Sequence, residues 1–530
     1  MCKEAKFTNH LTREVDYQKY TKMVLFSLSL VLILTSPLLL FFFFFFFLKH
    51  IRETIIHKPN LPPAPKGLPI IGNLHQLNSS SLYLDLWNLS KKYGPLFSLQ
   101  LGHRTVIVVS SPKMAKETLK NHDVEFSDRP SLFSQQKLSY NGIELFFSSY
   151  GDYWREIRKI CAVHIFSAKR VLSYSSIRQY EVQQMIQKIS SHAASSKVTN
   201  LNELLMSVTS TIICRSTFGR RYEEEGVERS RFHGMLNELQ ALMGSFFLQD
   251  YIHFTGWIDR LRGLTGRFEK NFKELDEFYK QVIDEHLDPQ RRKPQEEEDI
   301  VDVLLHLKKQ RWFSMDLTFD HIKALVMDVL AAATDTSTAV SVWAMTQLMK
   351  NPRVMQRVQE ERRNICGTKV FIGESDIQKL TYLKAVVKEV LRLHPPGPLL
   401  VMRQTNKKCI IEGYEIPEKT LVYVNVWAIH RDSEAWKDPE VFYPERFLDS
   451  DIDFKGQDFE LIPFGAGRRI CPGLPMGVAT VELIIANIAY SFDWEMPKGM
   501  KREDIDFEVL PGITQHKKNP LCLVAKNHLF

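Results

Sequence analysis

One short stretch near the C-terminal end, residues 463–473, constrains the fold of this 530-residue chain more than any other. It reads PFGAGRRICPG, and an apolar run begins directly after it at residue 474. Proline followed by an apolar run is typical of a helix start, so Cys471 would lie at the positive end of a helix. Neighbouring cations and a helix N-terminus both favour the thiolate, the form of cysteine that ligates metals. The stretch therefore predicts a thiolate ligand in a tight turn.

The register of this stretch resembles the haem-binding loop of the cytochrome P-450 superfamily, the haem-thiolate monooxygenases. The matching positions are Phe464, Gly467, Arg469, Cys471 and Gly473. The resemblance implies that Cys471 is the axial ligand to the iron of haem b. The loop residues implied to bind the haem beside it are Phe464, Gly465, Arg469 and Gly473. An ordinary cysteine in a glycine-rich turn is the alternative. A dinucleotide-binding fingerprint does not fit, because Ile470 occupies the place of its third glycine.

A second constraint lies near the N-terminus, where residues 23–48 are nearly all apolar and carry no charge. These 26 residues exceed the roughly 20 that cross a bilayer, so they predict one transmembrane helix behind a polar tail, 1–22. A cleaved signal peptide is the alternative, but its apolar core should be only about 7 to 15 residues long. Lysines and arginines flank the segment on both sides, which leaves its orientation poorly specified, and Met23 remains an alternative start.

Residues 58–72, KPNLPPAPKGLPIIG, follow the predicted anchor and contain five prolines. Proline fixes the backbone in extended conformations, so this segment predicts a stiff hinge. A generic linker is the alternative, although microsomal members of the resembled family have a similar hinge after their anchor. The rest of the chain, 73–530, is predicted to form one haem-binding monooxygenase domain.

Composition excludes several other classes of protein. The seven cysteines show no closely spaced pairs, which argues against a zinc site and against a disulfide framework. The net charge of +7 is modest for this length, so we expect no nucleic-acid partner.

Most of the body has helical periodicity. Apolar residues recur every three or four positions in 178–190, 201–215, 268–286, 319–350 and 377–394, whereas 96–101 and 105–110 are short and β-like. We therefore predict a mainly α fold with a small β domain, which agrees with the P-450 fold that the resemblance implies.

Two motifs outside the cysteine loop are implied to bind the haem propionates. Trp154 and Arg158 lie four residues apart on one predicted helix face, and Arg403 follows the segment 398–402. The planar guanidinium of arginine can donate two parallel hydrogen bonds to a buried carboxylate, which the ammonium of lysine cannot do. On pattern alone Arg158 would more simply form a surface salt bridge, and the family resemblance favours the propionate.

The stretch 325–338, LVMDVLAAATDTST, lies within an apolar predicted helix. A carboxylate at Asp335 in such a helix needs a partner or a function. The segment resembles the oxygen-activation motif of the family, which implies that Asp335 and Thr336 relay protons to bound dioxygen. The alternative is a threonine that bonds back to its own helix and an aspartate that reaches the surface. Family members usually carry glycine where this chain has Ala333, so we expect its methyl group to crowd the pocket.

Glu389 and Arg392 lie three residues apart on a predicted helix and can pair there. With Arg446 in the later PERF sequence, they match a buried network that stabilises the cysteine loop in the resembled family. We assign these three residues to folding and haem retention and give them no catalytic role.

The tripeptide beginning at His430, HRD, also occurs in protein kinases. The chain has no DFG sequence and no kinase glycine-rich loop, so the match is coincidental. His430 is interpreted as a packing or hydrogen-bonding residue.

The resemblance implies a plant A-type microsomal enzyme, anchored once in the endoplasmic reticulum membrane with its catalytic domain on the cytosolic face. It would take electrons from an NADPH-dependent cytochrome reductase and transfer one oxygen atom of O2 to a small apolar or aromatic metabolite. The resemblance also implies that the substrate-facing residues lie in five segments, 130–147, 232–256, 325–336, 398–402 and 511–514. Residues 461–506 look most similar to the aldoxime-oxidising branch. Two alternatives remain: an isomerase or dehydratase of the same fold, which is less consistent with the Asp335–Thr336 pair, and a haem-binding protein without turnover.

Overall fold

The computed structural model describes residues 35–37, 41–42, 44–45, 59–221, 227–291, 298–310, 315–367 and 369–527. Contacts divide the chain into two units, Met1–Leu61 and Pro62–Phe530. The predicted tail, 1–22, and most of the predicted anchor, 23–48, lie outside the described residues, and the described part of the anchor is helical. In the second unit, the hinge sequence packs on the first strand, where the Ser98 N–H donates to the Pro63 carbonyl at 2.8 Å.

Helices form most of the second unit, so the predicted mainly α fold is confirmed. The α-helices are α1 Leu82–Tyr93, α2 Pro112–Lys116, α3 Phe133–Leu138, α4 Asp152–Ile160, α5 Ala168–Ser173, α6 Ser175–Ala194, α7 Leu201–Phe218, α8 Val227–Met243, α9 Gly256–Leu261, α10 Leu264–Leu287, α11 Ile300–Gln310, α12 Phe319–Lys350, α13 Pro352–Cys366, α14 Glu374–Ile377, α15 Thr381–Leu393, α16 Val426–Ile429 and α17 Leu474–Ser491.

The strands are short and, within the residues that the structure describes, form three small sheets. They are β1 Leu96–Leu101, β2 Arg104–Val109, β3 Val198–Asn200, β4 Arg403–Gln404, β5 Cys409–Ile411, β6 Tyr414–Ile416, β7 Leu421–Val424, β8 Phe492–Glu495 and β9 Cys522–Asn527. The sheet orders are β1-β2-β7-β4, β3-β9-β8 and β5-β6. Strands β2 and β7 pair in parallel with Val106 opposite Leu421, and β4 pairs antiparallel to β7 with Arg403 opposite Val422. This register places Arg403 at the edge of the largest sheet.

The core is built around α12, which packs against α7 and α17. The Thr318 side chain caps its N-terminus by accepting the His321 N–H at 3.4 Å. Among the described residues, α12 and α17 are long and apolar enough to cross a membrane. However, 78% and 67% of their most apolar windows are buried inside the protein. Both are therefore core helices, as the all-round apolar sequence of α12 predicts.

Candidate active site

Cys471 lies where the turn 463–473 meets the start of α17. Its N–H donates to the Phe464 carbonyl at 3.0 Å and closes the turn. Gly465 and Gly467 have φ angles of +71° and +70°, in the left-handed region that favours glycine. A Cβ atom at Gly467 would also clash with the backbone carbonyl of Leu119. The glycines thus let the turn bring the cysteine to the head of the helix.

Several groups around the sulfur stabilise its thiolate. Burial raises the pKa of the Cys471 thiol, whereas backbone hydrogen bonds from Gly473 and Leu474 and the charge of Arg158 lower it. Arg158 is held nearby because its guanidinium donates to the Ile470 carbonyl at 2.5 Å. Cys471 also lines a large cavity. This donor set is that of a thiolate ligand facing a cavity.

Four of the arginines that line the same cavity are largely buried, and we call them the arginine cluster: Arg129, Arg158, Arg403 and Arg469. Burial lowers the pKa of all four, to about 10 for Arg403 and about 9 for Arg469. Their charges also act on one another, since Arg403 lowers the pKa of both Arg129 and Arg469. The carboxylate of Asp123 lies 3.7 Å from Arg403. So many buried like charges indicate a site for a further anionic group.

Backbone carbonyls orient the cluster. Arg469 donates to the carbonyls of Ser127, Leu145 and Ser148 at 2.8, 3.2 and 2.6 Å, and its guanidinium lies 4.3 Å from the Trp154 ring centre. The indole N–H of Trp154 donates to the Leu145 carbonyl at 3.1 Å. The structure therefore brings two of the predicted haem-binding residues into direct contact.

Two other members of the cluster are fixed in the same way. Arg403 donates to the Ala466 carbonyl at 2.9 Å, which ties β4 to the cysteine loop. Arg129 donates to the carbonyls of Phe146 and Val401 at 2.7 and 2.6 Å. Sequence reasoning missed Arg129. Its position directly before the loop 130–147, which was expected to face the substrate, was the available signal.

These residues fit haem. A thiolate can ligate its iron, the arginine cluster supplies cations for two propionates, and Phe464 lies in the same cavity wall. The cavity measures about 1380 Å³. Pockets for a single drug-sized ligand usually measure about 300 to 1000 Å³, so this one has room for a cofactor together with a substrate.

The cavity face of α12 carries Asp335 and Thr336. The Thr336 hydroxyl donates to the Ala332 carbonyl at 2.7 Å, so this threonine does bond back to its own helix. One carboxylate oxygen of Asp335 lies 2.6 Å from Nε2 of His516. This distance would allow a hydrogen bond, but the angle between the two groups does not. The Asp335 side chain is only 13% exposed. The acid is therefore held inside, against a histidine that sequence reasoning did not identify.

Ala333 does not have the position that was expected. Ala331 and Ala332 line the cavity, whereas Ala333 packs against the hydrophobic core. Successive helix positions are about 100° apart, so only part of the circumference of α12 faces the cavity, and Ala333 is not among its lining residues. The expectation that its methyl group crowds the pocket was therefore wrong.

Glu389, Arg392 and Arg446 are brought together in a buried network. Arg392 pairs with both oxygens of Glu389 at 2.7 and 2.8 Å, and neither side chain is exposed. Arg446 reaches the same carboxylate at 3.2 Å. His430 extends the network, because Nδ1 donates to the Arg392 carbonyl at 3.0 Å and Nε2 accepts the Ile462 N–H at 2.9 Å. Ile462 directly precedes the cysteine turn, so the network fixes the backbone at the residue where the chain enters the turn.

Five segments expected to face the substrate all contribute to the cavity lining. They are 130–147, 232–256, 325–336, 398–402 and 511–514. Their cavity-facing residues are mostly apolar, among them Leu132, Phe146, Phe246, Met327 and Leu399.

Comparison with known proteins places these features in context. The family model described as Cytochrome P450 matches residues 62–524. The 5-OH-xanthotoxin synthase of Pastinaca sativa is 48% identical over 88% of this chain and 93% of its own length. The 6,7,8-trihydroxycoumarin synthase of the same plant is 46% identical over 88% of this chain and 94% of its own. A solved zebra fish cytochrome P450 structure with abiraterone, at 24% identity, covers 84% of this chain and 100% of its own with a TM-score of 0.71, which shows a shared fold.

Proposed function

The chain belongs to the cytochrome P450 family, and from this premise we propose that it hydroxylates a small aromatic oxygen heterocycle of plant specialised metabolism, of the coumarin type. It is a plant A-type P450 monooxygenase, and its cofactor is haem b. Two relatives support the substrate class, since one is named for a hydroxylated xanthotoxin and the other for a trihydroxycoumarin. The similarity to aldoxime-oxidising enzymes remains a prediction.

One observation carries the proposal: a single cavity is lined both by Cys471 with the arginine cluster and by the Asp335–Thr336 pair. A cofactor held by the first set and a substrate beside the second would share one enclosed space. When bound, haem supplies the iron that activates O2 for transfer of one oxygen atom, and a thiolate ligand promotes that chemistry.

We assign the roles of the haem-site residues as follows. Cys471 ligates the iron, and the N–H groups of Gly473 and Leu474 stabilise the charge on its sulfur. The arginine cluster binds the two propionates, with Trp154 packed against Arg469. Glu389, Arg392 and Arg446 keep the cysteine turn in place and take no part in the chemistry.

Asp335 and Thr336 would hold and pass protons at the face of α12 that lines the cavity. The Thr336 hydroxyl donates to the Ala332 carbonyl and keeps a lone pair free to accept a hydrogen bond. It would pass a proton into the cavity only after its O–H rotates away from that carbonyl. Asp335 lies next to it, and His516 lies against Asp335 with 21% of its side chain exposed. This order of groups supports a proton route from solvent through His516 and Asp335 to Thr336.

The apolar walls orient the substrate and exclude water. A flat aromatic ring fits between phenylalanine and methionine side chains such as Phe146, Phe246 and Met327, which line the cavity. Few polar groups lie near these side chains, so the position of the substrate ring is determined mainly by the shape of the cavity wall.

We also propose that residues 23–48 anchor the enzyme once in the endoplasmic reticulum membrane, with the body on the cytosolic face beside an NADPH-dependent reductase. The uncharged apolar sequence supports the anchor. Alkaline extraction of membranes tests it: the full chain should stay in the membrane pellet, and a variant that lacks 1–57 should be released in larger part. Equal release of both would refute the anchor.

The function is tested on the full chain in membranes with a matched Cys471→Ser variant. The reduced, carbon monoxide-bound wild type should show the red-shifted Soret band of a thiolate-ligated haem, and the variant should lose it. With reductase and NADPH, the wild type should then hydroxylate a hydroxycoumarin. Identical spectra would refute Cys471 as the ligand. Conversion of an oxime or peroxide without reductase would support the isomerase or dehydratase alternative, and haem binding without any turnover would support the non-catalytic one.

A further inference from the structure

Two buried carboxyl groups outside the proposed chemistry meet between the loop 130–147 and α12. Glu144 is fully buried, and Asp328 is 6% exposed. Both accept backbone N–H groups of the same short segment, 145–147, which brings the two carboxyl groups together. Burial and then the charge of Glu144 raise the pKa of Asp328. Two neighbouring buried carboxylates repel each other, so such a pair retains one proton that the two groups can share.

Backbone contacts indicate which residue carries that proton. The two oxygens of Glu144 accept the N–H groups of Phe146 and Phe147. Asp328 accepts one N–H, from Leu145 at 2.9 Å. Hydrogen bonds to a carboxylate favour its charged form, so Glu144 is the carboxylate and Asp328 is the protonated partner.

The opposite edge of the same loop is held by residues assigned to the haem. The Leu145 carbonyl accepts from the Trp154 indole at 3.1 Å and from Arg469 at 3.2 Å. The Phe146 carbonyl accepts from Arg129 at 2.7 Å. The acid pair therefore binds the N–H edge of this loop segment while the arginine cluster and Trp154 bind its carbonyl edge.

We propose that Glu144 and Asp328 form a proton-sharing pair that positions the segment 144–148, and through it both the arginine cluster and the substrate-facing wall of the cavity. Leu145, Phe146 and Phe147 all line that wall. The pair acts through the loop, so these are positioning residues. The part of the inference that concerns haem rests on the proposed function, whereas the part that concerns the loop does not.

The surroundings make this pair sensitive to pH. The groups that face it are Arg129, Tyr153, Cys161, Tyr279 and Arg469. Burial raises the pKa of the two tyrosines and of the cysteine, so they stay neutral, and the arginines supply positive charge. Burial also raises the pKa of both carboxyl groups. The contribution of protonated Asp328 is therefore complete below the ordinary carboxyl pKa of about 4, and it is lost as the pH rises through the raised pKa of Asp328, where the pair gives up its shared proton.

The test compares Asp328→Asn, Asp328→Ala and Glu144→Gln with wild type in the full-length holoenzyme. Asparagine reproduces a protonated aspartate, because its amide donates to Glu144 and its oxygen accepts the Leu145 N–H. Glutamine at 144 offers one acceptor oxygen, whereas the N–H groups of Phe146 and Phe147 each need an acceptor. Asp320→Asn is the matched control, an identical change on the exposed first turn of the same helix.

The main readout is hydrogen–deuterium exchange of the amides 145–147, expressed as protection factors so that the intrinsic effect of pH is removed. Asp328→Ala and Glu144→Gln should lower these factors by about tenfold or more, because buried N–H groups lose their acceptors. Asp328→Asn should keep the wild-type protection and should also abolish its decline at high pH. The control should match wild type at every pH.

Equal losses in Asp328→Asn and Asp328→Ala would overturn the shared proton, and wild-type protection in Glu144→Gln would overturn the pair. The second readout is the rate of haem transfer to excess apomyoglobin, which should rise in the two disruptive variants only. Unchanged haem transfer together with lost protection would overturn the link to the arginine cluster. Failure of the Cys471→Ser test would refute the haem assignment but leave the exchange result to decide the pair.

Discussion

Replacing His430 by phenylalanine tests whether the Glu389–Arg392 network stabilises the cysteine turn. The imidazole is fully buried and bonds the Arg392 carbonyl at 3.0 Å and the Ile462 N–H at 2.9 Å. Phenylalanine fills a similar volume but leaves both groups without a partner. Each buried polar group left in this way costs about 1 to 3 kcal/mol. We therefore expect a loss of about 2 to 6 kcal/mol. His430→Gln, which keeps an acceptor near Ile462, should lose about half of that.

The pH dependence of the free energy of unfolding gives a second, independent measure of the contribution of His430. Burial lowers the pKa of His430 to about 3, compared with about 6.5 for an exposed histidine. The unfolded chain therefore takes up the proton first as the pH falls, and the native state loses stability from about pH 6.5 downwards. Between about pH 7.5 and 5.5 the loss amounts to about 1.4 kcal/mol. The phenylalanine variant should lack this component.

The assay is urea titration of detergent-solubilised holoenzyme, followed by the Soret band of the thiolate-ligated carbon monoxide complex. His306→Phe is the control, because this histidine is exposed on α11 and its loss should change stability by less than about 0.5 kcal/mol. A His430→Phe midpoint equal to that of the control, or an unchanged pH slope, would refute the reasoning.

Three further outcomes are expected. Gly467→Ala should destabilise the cysteine turn by more than about 1 kcal/mol in the same titration, because the positive φ disfavours alanine and its Cβ would meet the Leu119 carbonyl. Asp335→Asn should slow product formation by about 10²- to 10⁴-fold and divert NADPH consumption to hydrogen peroxide. The measurement is the ratio of product formed to NADPH consumed, and an unchanged ratio would exclude Asp335 from the proton route. Ala333→Gly should cost about 1 kcal/mol of helix stability but leave the spectral dissociation constant of a substrate unchanged, since Ala333 lies outside the cavity.

Local patterns predicted the long elements of the fold well. The predicted helix 319–350 coincides with α12, because an apolar sequence with a capping threonine specifies both its burial and its start. The β-like stretch 96–101 coincides with β1. Strands β4 to β7 were not predicted, since two to four residues are too short for a periodic pattern. Strand β7 pairs with β2, about 300 residues earlier in the chain, and β4 pairs with β7, so the positions of these two strands depend on long-range pairing.

Site residues could be predicted from the sequence where all members of a group lie within one local motif. Cys471 and its neighbours lie within a single turn, and the Glu389–Arg392 pair lies within a single helix. His516 was not identified because its role depends on its contact with Asp335, which is far away in sequence. Glu144 was not identified because it shares the segment 145–147 with Asp328, which is equally distant. Long-range contacts of single polar residues leave no local signature.

The arginine cluster has a consequence for biosynthesis. Four buried guanidinium groups that repel one another oppose closure of the chain around them until an anion arrives. We therefore expect haem delivery to be a late step of maturation, in which the dianionic cofactor would neutralise the arginine cluster and complete folding. In a cell short of haem, this protein would accumulate as an open, protease-sensitive intermediate, so its abundance would follow the supply of its prosthetic group.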